Sequence, residues 1–139
     1  MEFSYRPEIW VQAGIAEMYQ KIKSGGVMQA LLKYARVASE AGEVPVAAAI
    51  TTSDGEVIAI SENRMMRDCN ALHHAEILAI SAAIEARKTS RLDDCDLWVT
   101  LEPCTMCAGA IAHARLRRIY FGAYDEKAGA VESGVRFFD

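Results

Sequence analysis

Two short motifs, His74-Ala75-Glu76 and Pro103-Cys104-Thr105-Met106-Cys107, constrain this chain more than any other feature. Cys104 and Cys107 are three apart, so a helix puts both thiols on one face. In a first helical turn, free backbone N–H groups and the helix dipole favour thiolates. Pro103 loses no helical hydrogen bond there. His74 adds a neutral nitrogen donor. Two thiolates and an imidazole suit zinc, and three protein ligands leave one tetrahedral position open, as catalytic sites do. The fold must therefore bring residue 74 against residues 104–107 across an intervening helix and strand.

An open position on zinc activates water toward neutral pH. Glu76 stands beside a ligand without being needed as one. It is placed to take the water's proton and hand it to a ring nitrogen and then to leaving ammonia. Attack at an amino-bearing ring carbon with loss of ammonia is hydrolytic deamination. The combined order His-x-Glu…Pro-Cys-x-x-Cys is the signature of zinc-dependent nucleobase deaminases. A zinc-stabilised interaction module without catalysis stays open as an alternative, with Cys69, His73 or Cys95 as fourth ligand. A thioredoxin-like redox pair would leave His74 and Glu76 idle.

The chain has 139 residues, enough for one domain with a core and too few for two. Its net charge of −4 gives no global pull toward nucleic acid, so any such site is a local patch. No apolar run reaches the roughly 20 residues of a membrane span. Met1 to Trp10 mixes charges with aromatics and lacks the apolar stretch of a signal peptide, so the cytoplasm is expected. Cys69 and Cys95 are expected to be buried, inert thiols.

The patterning predicts helices over Pro7 to Lys23 and Val27 to Ala41. Strands follow over Val44 to Thr52 and Glu56 to Ser61, joined at a Ser53-Asp54-Gly55 turn. Asn63 to Leu72 is polar and irregular, a loop. Next come a helix from His74 to Arg87, a strand from Asp96 to Leu101, a helix from Pro103 to Ala114 and a strand from Arg118 to Gly122. Alternating strands and helices predict an α/β layer architecture, with the last two helices crossing one sheet face. Trp10 and Trp98 are expected in the core, and Met65-Met66 in an interface. Arg115, Arg117 and Arg118 read as a solvated helix end. Arg64, Arg67, Lys127 and Arg136 are loop charges suited to an RNA groove.

At this point the chain resembles the bacterial tRNA adenosine deaminases, which convert the wobble adenosine of a tRNA anticodon to inosine. The matching segments are Glu43-Val44-Pro45-Val46, Asn63-Arg64, His74-Ala75-Glu76, Val99 through Ala108, Phe121-Gly122-Ala123 and Gly129 through Ser133. The resemblance implies a three-layer cytidine deaminase-like α/β fold, a central mixed sheet flanked by helices. It implies His74, Cys104 and Cys107 as Zn2+ ligands and Glu76 as proton shuttle. Asn63, Ala75 and Asp125 carry over as substrate-binding, Asn63 against the base and Asp125 near the RNA backbone. The implied partners are a tRNA anticodon stem-loop and a second copy of the chain, both subunits building the RNA site. Two departures stand out. Ala47 replaces a usual Gly and is expected to tighten a pocket wall, and Leu72-His73 replaces a common Thr-Ala. The rival substrate is a free base or nucleoside of cytosine or guanine.

The order of segments is unusual for that family. Tyr5-Arg6-Pro7-Glu8-Ile9-Trp10, followed by Gly14-Ile15-Ala16-Glu17, resembles its C-terminal segment, and Ser24-Gly25-Gly26 resembles a linker. The expectation is a circular permutation of one deaminase domain, 1–139: a relocated C-terminal helix segment at 1–23, a linker at 24–26 and the core at 27–139. A natural N-terminal extension with truncation is the alternative. Met18 to Lys23 lacks the paired phenylalanines usual at that helix end, so weaker RNA binding is expected.

Overall fold

The computed structural model describes residues 5–11 and 26–139. Its elements are β1 (Glu8–Val11), α1 (Gly26–Glu40), β2 (Ala47–Thr52), β3 (Val57–Glu62), α2 (Ala75–Arg87), β4 (Cys95–Leu101), α3 (Thr105–Ala114) and β5 (Arg118–Ala123). The strands form one mixed sheet in the order β1-β5-β4-β2-β3. β2 runs antiparallel to both β3 and β4, while β4, β5 and β1 are parallel.

Alternation along the strands divides the core into two layers. Ala47, Ala49, Trp98 and Tyr120 face α1, which buries Val27, Leu31 and Ala35 against them. Ala48, Ile50, Leu97, Val99, Ile119 and Phe121 belong to the other cluster, shared with Ala75, Ala79 and Ala83 of α2 and Ala108 and Ile111 of α3. The result is the expected three-layer architecture, with α2 and α3 together on one face. Trp98 is in the core as expected. Its ring stacks on Tyr120 at 4.0 Å, and its indole N–H donates to Thr51 Oγ1 at 3.0 Å.

The register sets where a site can form. Ala47 at the start of β2 pairs with Glu62 at the end of β3. Leu101 at the end of β4 pairs with Ala123 at the end of β5. Because β2 is antiparallel to β4, these four positions share one end of the sheet. The segments 43–46, 63–74, 102–104 and 124–133 therefore converge there.

Several expectations need correction. Pro7 does not open a helix, because Glu8–Val11 is a strand laid parallel on β5, from Glu8 opposite Arg118 to Val11 opposite Phe121. Without it β5 would expose its ladder groups at the sheet edge. Ile9, Trp10 and Val11 are residue types that favour strands, and four residues are too few to show a period. The rest of that predicted helix, residues 12–23, and the linker residues Ser24 and Gly25 lie outside the described residues. β2 starts at Ala47 rather than Val44: Pro45 cannot donate to a ladder, and the Val46 N–H turns back to Val44 O at 2.8 Å.

Cys95 is buried but Cys69 is exposed, at a left-handed φ of 47° within the loop. Met66 of the expected interface pair is 71% exposed in this single chain. Arg117 is no solvated helix end. Its guanidinium makes two bonds, at 2.9 and 2.7 Å, to the carboxylate of buried Asp96, and Arg118 pairs with Glu8. Among the described residues no helix is long and apolar enough to cross a membrane.

Candidate active site

The convergence at the sheet end encloses a cavity of about 150 Å³. That is close to engineered cavities that accept a benzene ring, so it suits one flat heterocycle. Val44, Val46, Met65, Leu101 and Ala128 form its apolar wall, and Asn63, His74, Glu76 and Asp125 its polar groups. Ala75, Glu102 and Cys104 complete the lining. Ala47 is absent from the lining. Strand alternation turns it to the α1 side while its neighbour Val46 lines the cavity, so the expected tightening by Ala47 does not occur.

Both metal motifs sit at helix starts. His74 is the N-cap of α2, with an extended backbone and no side-chain cap bond. Cys104 is the N-cap of α3, also extended, so it precedes the helix that was expected to contain it. Cys107 lies in the first turn behind it and is buried. Each thiol sulfur is 3.6 Å from His74 Nδ1. A tetrahedral ion with Zn–N near ~2.1 Å and Zn–S near ~2.3 Å places nitrogen and sulfur ~3.6 Å apart. The donor set therefore fits zinc in kind and in spacing.

Among the described residues, His74, Cys104 and Cys107 are the one cluster able to hold a metal. None of the residues considered for a fourth ligand joins it. His73 bonds Asp68 Oδ2 at 2.8 Å through Nδ1, and its Nε2 lies 3.1 Å from Asn70 Nδ2. Cys69 and Cys95 are elsewhere. The hydrogen bond from Cys107, with help from His74, holds the Cys104 thiol down at about 5. The same bond and burial push Cys107 up. Glu76, in the first turn of α2, is 4% exposed. Burial pushes its carboxyl up to about 7.

Asn63 is buried at the cavity, its Oδ1 taking the Met65 N–H at 3.1 Å. Asp125 is more than a solvated turn residue. Its Oδ1 accepts the N–H groups of Lys127 and Ala128 at 3.1 and 3.0 Å, ordering the turn at the cavity rim. Of the loop charges expected along an RNA groove, Arg64 pairs with Asp68 and Glu62, Arg67 with Glu43 and Glu62, and Arg136 with Glu132 and Asp139.

The MafB19-like deaminase family matches residues 22–136. The tRNA-specific adenosine deaminase of Agrobacterium fabrum is 55% identical over 111 residues, covering 80% of this chain and 72% of that protein. The chain belongs to the tRNA-specific adenosine deaminase family. The Rickettsia felis protein of that name is 48% identical over 113 residues, covering 81% of this chain and 78% of its own. A solved structure from studies of A-to-I editing by tRNA:A34 deaminases superposes with a TM-score of 0.78 at 55% identity, covering 80% of each chain. The guanine deaminase of Bacillus subtilis superposes at 0.64 with 35% identity, over 67% of this chain and 59% of its own. These neighbours share the cytidine deaminase-like fold.

Sequence reasoning passed over Glu102. It is buried, and its carboxylate accepts five hydrogen bonds: Asp125 N–H at 3.1 Å, Val131 N–H at 3.1 Å, Glu132 N–H at 2.9 Å, and the Ser133 N–H and hydroxyl at 2.8 Å each. The segment 125–133 thus wraps one carboxylate two residues ahead of Cys104. Gly129 is required there, since a Cβ would lie 2.5 Å from Glu102 Cδ and 2.4 Å from Asp125 O. The available signal was a charge set between Leu101 and Pro103, where an unpartnered carboxylate is costly.

Proposed function

We infer that this chain hydrolyses the wobble adenosine of a tRNA anticodon stem-loop to inosine, releasing ammonia. The supporting observation is the pair of 3.6 Å nitrogen–sulfur separations at a ring-sized cavity that also buries Glu76. His74, Cys104 and Cys107 would hold zinc. When bound, zinc supplies Lewis-acid activation of water. Glu76 takes one proton from the attacking water and passes it to the ring nitrogen beside the reacting carbon, then takes the second from the newly added hydroxyl and gives it to the departing amine, which leaves as ammonia. Asn63 and Ala75 contact the base, and Asp125 orders the rim beside the RNA backbone. The low-dielectric wall of Val46 and Leu101 strengthens each of these polar contacts.

Two copies in the cytoplasm complete the RNA site in this reading. Val44, Met66, Leu72 and Tyr124 are apolar and exposed on the segments that form the cavity, a surface suited to a second copy. A second substrate reading, a free base such as guanine, draws on the small cavity and the likeness to guanine deaminase. The deciding assay follows inosine in an anticodon stem-loop beside ammonia from free adenine, guanine and cytosine, with zinc content and sedimentation measured on the same preparation. Inosine from a zinc-loaded dimer is the expected result. Ammonia from a free base alone would move the substrate, and a monomer that edits RNA would remove the second copy.

The same reading takes residues 1–23 as the family's C-terminal segment moved to the front, joined through 24–26 to the core at 27–139. Its support is β1 on the edge of β5, and the contact of residues 5 and 6 with residues 138 and 139. The Tyr5 and Phe138 rings lie 6.3 Å apart, and Arg6 pairs with Asp139 at 3.2 Å. Joining residue 139 to residue 1 and reopening the chain within 24–26 is expected to give a folded, active protein. Failure of the rejoined chain to fold would end this reading.

A further inference from the structure

The loop from Asn63 to His74 begins with a cavity-lining amide and ends with a metal-ligating imidazole. One guanidinium spans its first half. Arg67 Nη2 donates to the Asn63 carbonyl at 2.6 Å, Nη1 to Glu62 Oε1 at 3.2 Å, and Nε to Glu43 Oε2 at 3.1 Å. Arg67 is itself held from behind. The fully buried Glu43 carboxylate accepts the N–H of Met66 at 2.8 Å and of Arg67 at 2.9 Å. Asn63 is therefore fixed at two points, its carbonyl by Arg67 and its side-chain oxygen by the Met65 N–H. Arg67 does not line the cavity.

The geometry points to Arg67 as a positioning residue that sets where Asn63 meets the substrate base while touching no substrate itself. This rests on the reading of Asn63 as the base-contacting residue. The three acceptors lie on the end of β3, the strand-to-loop junction and the segment before β2. Only a planar fork with several fixed N–H directions reaches all three, and a lysine ammonium does not reproduce it. The ion pairs occupy the guanidinium within the chain, so Arg67 acts through Asn63 rather than through an RNA phosphate.

A double-mutant cycle on the zinc-loaded protein tests this, with KM, kcat, zinc content and melting temperature measured for wild type, Arg67→Lys, Asn63→Ala and the double variant. Arg67→Lys is expected to raise KM for the stem-loop about ten-fold, with kcat within about two-fold and zinc content unchanged. The double variant is expected to be no worse than Asn63→Ala alone, because the two changes remove one interaction. Glu62→Gln weakens the Arg67 contact together with the longer, more exposed pair to Arg64, and is expected to raise KM roughly three-fold; it carries the test if Arg67→Lys does not fold. Independent, additive losses would overturn the proposal. So would a lower melting temperature with KM unchanged, or an Asn63→Ala protein with wild-type KM. A wild type that deaminates only a free base would change the substrate reading alone, and the cycle would then be measured on that base. Silence on every substrate overturns both.

Discussion

Glu76→Gln is expected to lose about a thousand-fold in turnover while keeping its fold and its metal. The carboxyl sits two residues past His74 in the first turn of α2, at the cavity, and is not one of the three clustered donors. Burial, the largest influence on it, raises it to about 7, where a carboxyl both accepts and releases a proton near neutrality. A glutamine of the same shape does neither. It also avoids the cost of burying a charge, so the melting temperature should hold or rise. Turnover, zinc content and thermal melting on one preparation check all three statements. Wild-type turnover in the glutamine protein would sink the proton-shuttle role and favour a zinc-stabilised module without chemistry.

Glu102→Ala is expected to destabilise the chain by several kcal/mol, since each buried donor left without an acceptor costs about 1–3 kcal/mol. The alanine leaves the N–H groups of Asp125, Val131, Glu132 and Ser133 without their acceptor. Glu102→Gln should cost less: its oxygen keeps the N–H groups of Val131, Glu132 and Ser133, and its amide faces the Ser133 hydroxyl, which is free to accept, so the Asp125 N–H alone loses its acceptor. The pH dependence follows from the carboxyl. Burial pushes it upward, but the hydrogen bonds from Ser133, Asp125 and Glu132 outweigh burial and hold it below its usual 4.5. A depressed acid contributes its stability fully above the unfolded value and loses it as pH falls through the folded one. Wild type should therefore lose melting temperature below about pH 4.5, and Glu102→Gln should lose less over the same range. A Glu102→Ala protein that melts with wild type would show that the 125–133 segment does not depend on this carboxylate.

The elements legible in the sequence are those whose signals are local. α2 and α3 were readable because the motifs that mark them also start them, although His74 and Cys104 turn out to be caps rather than first-turn residues. The turn at Ser53-Asp54-Gly55 likewise stands between the strands it joins, and Gly55 has a positive φ of 90°. β1 was misread because its reason for being a strand is β5, which begins at Arg118. The charged residues were misread for a related reason. Arg67 reads as a loop charge suited to an RNA groove and Arg117 as a solvated helix end, but each answers a buried carboxylate distant in sequence, Glu43 and Asp96. Glu102 shows the limit most clearly, since four of its five donors are backbone N–H groups that any residue could supply. The metal cluster was legible because sulfur and imidazole at that spacing have few other uses.

The pairing of α2 and α3 on one sheet face has a further consequence. His74 rides on the first helix, and Cys104 and Cys107 on the second. Ala75, Ala79 and Ala83 of one helix and Ala108 and Ile111 of the other share a single core cluster. The gap between imidazole and thiols is thus gauged by the bulk of side chains that never meet the ion. A methyl group added among those alanines would act on the metal as a change of bite, opening the jaws of a caliper whose hinge lies in the core.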